Sequence, residues 1–235
     1  MSLLVLQDVT KHGTEGRRRR TLLEQVTITV GHGELAVVLA ANRHECSALI
    51  RIAAGVENPD SGQALLDGQD LARHGEELRG VAVGYVGRRL HGGEGRSVCS
   101  LIAAGLLAHG IGAREADQRA QAALERVGAG DCGALASSEL AEHETVRVAI
   151  ARALALGPRL ITIEEPIKGL SAQQRDELLA VLRALADEGL AVLAGSADPA
   201  ALSGADSAHT LDGARLRSNS TPKLADVVQL RRADG

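Results

Sequence analysis

Residues 34–55 constrain this chain more than any other stretch. Leu35, Ala36, Val37, Val38 and Leu39 form a short unbroken apolar run, a tight loop follows, and helical spacing starts near Ser47. An apolar run of this length without polar alternation reads as a strand covered on both faces, the kind found in parallel sheets. Similar runs recur at residues 81–86, 160–163 and 190–194, and helical spacing fills residues 145–156 and 172–188. The last of these is amphipathic, with Leu178, Leu179, Leu182 and Leu185 turned inward. Strands alternating with helices predict an α/β chain with a mainly parallel core sheet.

Two regions depart from that alternation. Residues 3–9 and 25–30 alternate apolar and polar side chains, with Val26, Ile28 and Val30 on one face, and predict an antiparallel β layer. The basic run Arg17, Arg18, Arg19 and Arg20 joins them and reads as a solvated loop. A turn at Asn58, Pro59, Asp60, Ser61 and Gly62 leads into a short strand at 64–66, and Asp67 with Gly68 turns again. Residues 91–144 carry no strand signal, and the spacing at 101–107 and 115–127 predicts a helical subdomain inserted into an α/β core of residues 1–90 and 145–235. Asp212 and Gly213 turn a final hairpin.

Composition removes several classes of function. Phe and Trp are absent and Tyr occurs once, so the interior is filled by aliphatic side chains and stacking of bases on aromatic rings is excluded. A formal net charge of -4 argues against nucleic acid as a partner. Cys46, Cys99 and Cys132 are odd in number and widely spaced, which suggests neither a disulfide framework nor a zinc site. His44 and His143 lack further ligands at usable spacing, so no metal site is expected. No apolar run approaches a membrane span, and a reducing cytoplasm fits the cysteine usage.

The loop after the first core strand stands where a phosphate cradle would be. Such a cradle has the form G-x-x-x-x-G-K-[ST], because glycines let backbone N–H groups approach phosphate and lysine supplies charge. In this frame the chain reads Ala40, Ala41, Asn42, Arg43, His44, Glu45, Cys46, Ser47, and only Ser47 matches. A carboxylate near phosphate oxygens costs on the order of 4 kcal/mol at ~4 Å for an effective dielectric of ~20, so Glu45 by itself opposes a phosphate here. Arg43 is expected to be solvated, and Cys46 to be a buried, inert thiol.

The order of three anchors carries a resemblance. Gly33-Glu34-Leu35 with its strand and loop, then residues 148–154 (Val-Ala-Ile-Ala-Arg-Ala-Leu), then Pro158-Arg159-Leu160 through Glu164-Glu165-Pro166, together resemble the ATP-binding subunit of ABC transporters. Residues 51–55, 59–62, 84–86 and 211–213 extend the likeness over almost the whole chain, and the wording around residues 147–154 looks most like the lipoprotein-export and macrolide-export branch. The resemblance implies a P-loop NTPase-like ABC ATPase domain. It implies Ser47 and Glu164 on the nucleotide and magnesium side, and Glu165 where the family has its catalytic base.

The departures fall on the family's chemical positions. The signature stretch L-S-G-G-[EQ] corresponds to Leu140, Ala141, Glu142, His143 and Glu144. The loop glutamine corresponds to Arg88, the switch histidine to Ala197, the aspartate of the D-loop to Ser171, and near the adenine-stacking aromatic only His12 is offered. Glu165 is therefore expected to cap the segment after it or to meet an arginine. The expectation is a non-hydrolysing scaffold with neither ATP nor magnesium as cofactor. Its implied partners are a second ABC ATPase subunit, as a heterodimer, and a membrane permease that holds it at the cytoplasmic face of the cell membrane and docks near residues 88–100. The alternatives are a working ATPase that drives transport, with ATP and magnesium bound, and a soluble regulator that binds another ligand or senses redox state through Cys46.

Overall fold

The computed structural model describes residues 2–15, 18–87 and 95–219. The chain opens with a long antiparallel pair, β1 (Ser2–Glu15) and β2 (Arg18–Gly31). Val26, Ile28 and Val30 are buried, as alternation predicts, and Asp8 and Gln25 adopt positive φ beside the register shifts of this pair. Gly33, at φ 67°, then turns the chain into β3 (Leu35–Ala40) and α1 (Arg43–Ala53). Next come β4 (Ser61–Leu66), β5 (Gln69–Asp70), α2 (Leu71–Leu78) and β6 (Val83–Val86). Helices α3 (Val98–Ala108), α4 (Ala113–Arg126) and α5 (Glu142–Leu154) follow. The chain then returns to strands through β7 (Leu160–Glu164), α6 (Ala172–Asp187), β8 (Ala191–Ser196), β9 (Ser207–Asp212) and β10 (Arg215–Asn219).

Two sheets result. One is antiparallel, in the order β2-β1-β4-β5. The other runs β10-β9-β3-β8-β7-β6, parallel except for the final hairpin strand β10. Because side chains alternate across a strand, β3 feeds two cores: Leu35 and Val37 face the helical side, and Ala36, Val38 and Ala40 face the antiparallel layer. In the same way β7 sends Ile161 and Ile163 to the first core and Leu160 to the second. Gly195 in β8 is required by this packing, since a Cβ there would run into Cys46 Sγ and the Ile50 side chain of α1.

Several element limits differ from the sequence reading. Helix α1 starts at Arg43 rather than near Ser47, because the Asn42 side chain accepts the His44 N–H at 2.9 Å and starts the helix one turn earlier. Arg18, Arg19 and Arg20 lie in β2 rather than in a loop, their backbone pairing continuing the hairpin to Glu15. Helix α5 starts at Glu142 rather than at residue 145. The strand expected from residue 81 begins at Val83, and Val81 is half exposed. Helix α2, capped by Asp70, carried no sequence expectation. Arg88 and residues 91–94 of the expected docking segment lie outside the described residues.

Candidate functional site

The carboxyl ends of β3, β7 and β8 lie side by side, with Leu39 paired to Ser196 and Glu164 to Gly195. In an open parallel sheet this is the edge where ligands sit. The strand ends bring together the loop of residues 40–47, the carboxylates Glu164 and Glu165, and Ala197.

The loop is closed on itself. Ala40 ends β3 in the core, and Glu45 sits at the third position of α1 with only 2% of its surface exposed. Its Oε1 accepts a hydrogen bond from the Arg20 guanidinium at 2.9 Å and another from Asn42 Nδ2 at 3.1 Å. The Arg20 side chain itself remains half exposed. Cys46 is buried on the inner face of α1, and its thiol is pushed up to about 12, first by burial and then by the charges of Glu165 and Glu164. A thiol in that state is neutral and inert, as the apolar environment of a core cysteine requires. Arg43 and His44 are exposed, as a solvated surface predicts for Arg43.

Ser47 and Glu164 meet directly, Ser47 Oγ donating to Glu164 Oε2 at 2.9 Å. Tyr85, the sole aromatic residue of the chain, donates from its hydroxyl to the other oxygen, Oε1, at 2.5 Å. Burial, followed by this bond and the Glu164 charge, raises the Tyr85 pKa. Glu165 adopts φ 51°, which turns its carboxylate onto the loop after β8, where it accepts from the Ala197 N–H at 3.2 Å and from Ser196 Oγ at 3.4 Å. The carboxylate therefore binds the loop after β8, rather than capping the segment that follows it or meeting an arginine as expected. Among the described residues no group of three or more His, Cys, Asp and Glu side chains is placed to hold a metal ion.

The α5 terminus borders the same strand edge, Glu142 and Thr145 sharing a cavity wall with Glu164 and Glu165. Ala141 is its N-cap, and its N–H donates to Glu144 at 2.8 Å while its carbonyl accepts from Thr145 Oγ1 at 3.0 Å. The Glu142 carboxylate packs against Gly169, which at φ 80° leaves no room there for a Cβ. His143 is half-buried. Ser171 caps α6 reciprocally: its Oγ accepts from the Gln174 N–H at 3.3 Å and its own N–H donates to Gln174 Oε1 at 3.0 Å.

A cavity of about 170 Å³ lies over α1, with Gly13, Thr14, Arg20, Asn42, His44 and Ser47 in its wall. A second, of about 240 Å³, is walled by Glu142, Thr145, Glu164, Glu165 and Lys168 over an apolar floor that includes Val146 and Ile163. Both are smaller than the ~300–1,000 Å³ usual for sites of drug-sized ligands.

A family model for the ABC transporter matches residues 23–168. The chain belongs to the ABC transporter family. The spermidine/putrescine import ATP-binding protein PotA of Pseudomonas aeruginosa is 35% identical over 158 residues, which are 67% of this chain and 43% of that protein. The macrolide export ATP-binding/permease protein MacB 2 of Aeromonas hydrophila is 29% identical over 229 residues, 96% of this chain and 35% of that protein. The chain thus spans less than half the length of these relatives. A solved dimeric bacterial ABC transporter cassette superposes with a TM-score of 0.82 at 19% identity, covering 94% of this chain and 99% of that one, a likeness of fold. Within the ABC frame two residues that sequence reasoning had not placed at the site now belong to it, Arg20 and Tyr85, and Asn42 of the loop gains a partner in Glu45. Tyr85 could have been found from its solitude in a chain without Phe or Trp. Arg20 could not, because its register on β2 is a property of the hairpin.

Proposed function

We propose that this chain is an ABC-type subunit of a membrane transport system that keeps the cassette fold as a scaffold and does not hydrolyse ATP. The observation that carries the reading is the buried Glu45 carboxylate, paired with Arg20 and Asn42 at the position where a phosphate cradle has its second glycine. A triphosphate does not fit that donor set. With a neutral thiol at the lysine position and Glu45 in place of a glycine, the loop lacks the charge and the close backbone approach that a triphosphate needs. Without a bound triphosphate, magnesium has no phosphate oxygens to share with this site. Neither ATP nor magnesium is then a cofactor of this chain.

In such a complex a second ABC subunit would be the partner in a heterodimer, and a permease would hold both at the cytoplasmic face of the membrane. No helix among the described residues is long and apolar enough to cross a membrane itself. We take residues 91–144 as the helical unit and residues 88–100 as part of the permease contact. The purified chain, alone, is expected to show no ATP turnover and no heat of Mg-ATP binding at micromolar concentrations. Turnover that Glu165→Gln abolishes would refute this. The competing reading, a working ATPase, draws support from the preserved Ser47–Glu164 contact, and tight Mg-ATP binding by calorimetry would establish it.

A further inference from the structure

We propose that the Glu45 carboxylate is a built-in substitute for a bound phosphate, so that the loop between β3 and α1 is completed by the chain's own side chain and its order is independent of any ligand. This rests on the non-hydrolysing reading and deepens it. A helix N-terminus exposes backbone N–H groups and a partial positive charge, and anions settle there. At the start of helix α1 the Asn42 side chain takes the His44 N–H, and the Glu45 carboxylate lies against that cap. The third residue of α1 supplies a carboxylate that is almost wholly removed from water, β2 supplies the guanidinium of Arg20 at 2.9 Å, and the N-cap supplies the amide of Asn42 at 3.1 Å. The cation and the neutral donor are groups of the kind that surround a phosphate, and the carboxylate they hold takes the part of the anion. Asn42 thereby ties the cap to the same set.

Two consequences follow. An anion from solution meets a like charge already in the seat, and is kept out for as long as Glu45 stays there. Removing the carboxylate alone leaves the Arg20 guanidinium, the Asn42 amide and the helix terminus around a space the size of the lost side chain, and that space should accept a small oxyanion. A protein that gains ligand binding by losing a side chain is a sharp signature, because a merely structural ion pair would leave only instability behind.

The test uses the full chain and inorganic phosphate, with chloride buffer as reference. Glu45→Ala is expected to melt below the wild type in chloride, and phosphate at about tenfold over its Kd is expected to raise the melting temperature of the variant by about 3 °C. The wild type should not respond, and Arg20→Ala combined with Glu45→Ala should lose the gain. A wild type that gains as much as Glu45→Ala, or a Glu45→Ala chain blind to phosphate, overturns the proposal. Should Glu45→Ala not fold, amide exchange of the wild type decides: protection at residues 43–46 that phosphate and Mg-ATP leave unchanged supports the built-in anion, and protection that rises with either sinks it. A Glu45→Ala chain blind to phosphate beside a wild type without ATP turnover removes the built-in anion and leaves the functional reading standing.

Discussion

The N-termini of α1 and α5 carry the same pair of residues at their second and third positions, His44-Glu45 and His143-Glu144, and they close in different ways. Glu45 is buried, and its carboxylate draws a cation from β2, 25 residues away in sequence, together with the Asn42 amide. Glu144 is half-buried; it accepts the N–H of its own N-cap, Ala141, and has the Cys132 thiol as a second hydrogen-bond neighbour. The difference teaches how burial sets the partner a carboxylate needs. Near water a local amide suffices, whereas a buried charge without a counter-charge is strongly unfavourable. Both helix starts thus carry a carboxylate, one buried against a counter-charge and one half-buried at its own cap.

The largest expected effect lies at the buried terminus. Arg20→Ala strands Glu45, and urea denaturation should show a loss near the low end of about 3–5 kcal/mol, reduced because Arg20 is half in solvent. A loss no greater than at α5 would break the comparison. Tyr85→Phe comes next, since it removes one of the two donors to Glu164 beside Ser47, and about 2 kcal/mol should be lost in the same assay.

The third concerns pH. Folding holds the Cys46 thiol neutral, up to about 12, whereas an unfolded thiol ionises near ~8.5. Its contribution is therefore whole below the unfolded value and declines as pH rises toward the folded one. Stability should fall by about 1–2 kcal/mol between about pH 8 and about pH 10 through this group, and Cys46→Ala should remove that part of the slope. The smallest change is expected from Glu144→Ala, about 0.5–1 kcal/mol, as a local cap predicts. If that variant proves as damaging as Arg20→Ala, burial is not what separates the two termini.

Much of the architecture was legible because it follows from local periodicity. The apolar runs that became β3, β7 and β8, the amphipathic spacing of α6, the alternation of β2 and the strandless stretch of α3 and α4 are each written in consecutive residues. The start of α1 was not, because Arg43, His44 and Glu45 look polar enough for a loop until the Asn42 cap is in place. Ser47, Glu164 and Glu165 were found from their motif positions, but what each binds depends on neighbours remote in the chain: Tyr85 for Glu164, Ala197 and Ser196 for Glu165.

By itself the sequence determined that this chain builds an α/β ABC cassette, and that glycine and lysine are missing from its phosphate frame, since both statements depend only on which residues follow one another. Only the tertiary structure decided that Glu45 is buried rather than solvated and that Arg20 is its counter-ion. That outcome depends on the register of β2 against β1 and on the seat of α1 beside β8, where Gly195 lets Cys46 and Ile50 approach. Long-range packing sets the dielectric around a charge, and no local pattern of residues encodes it.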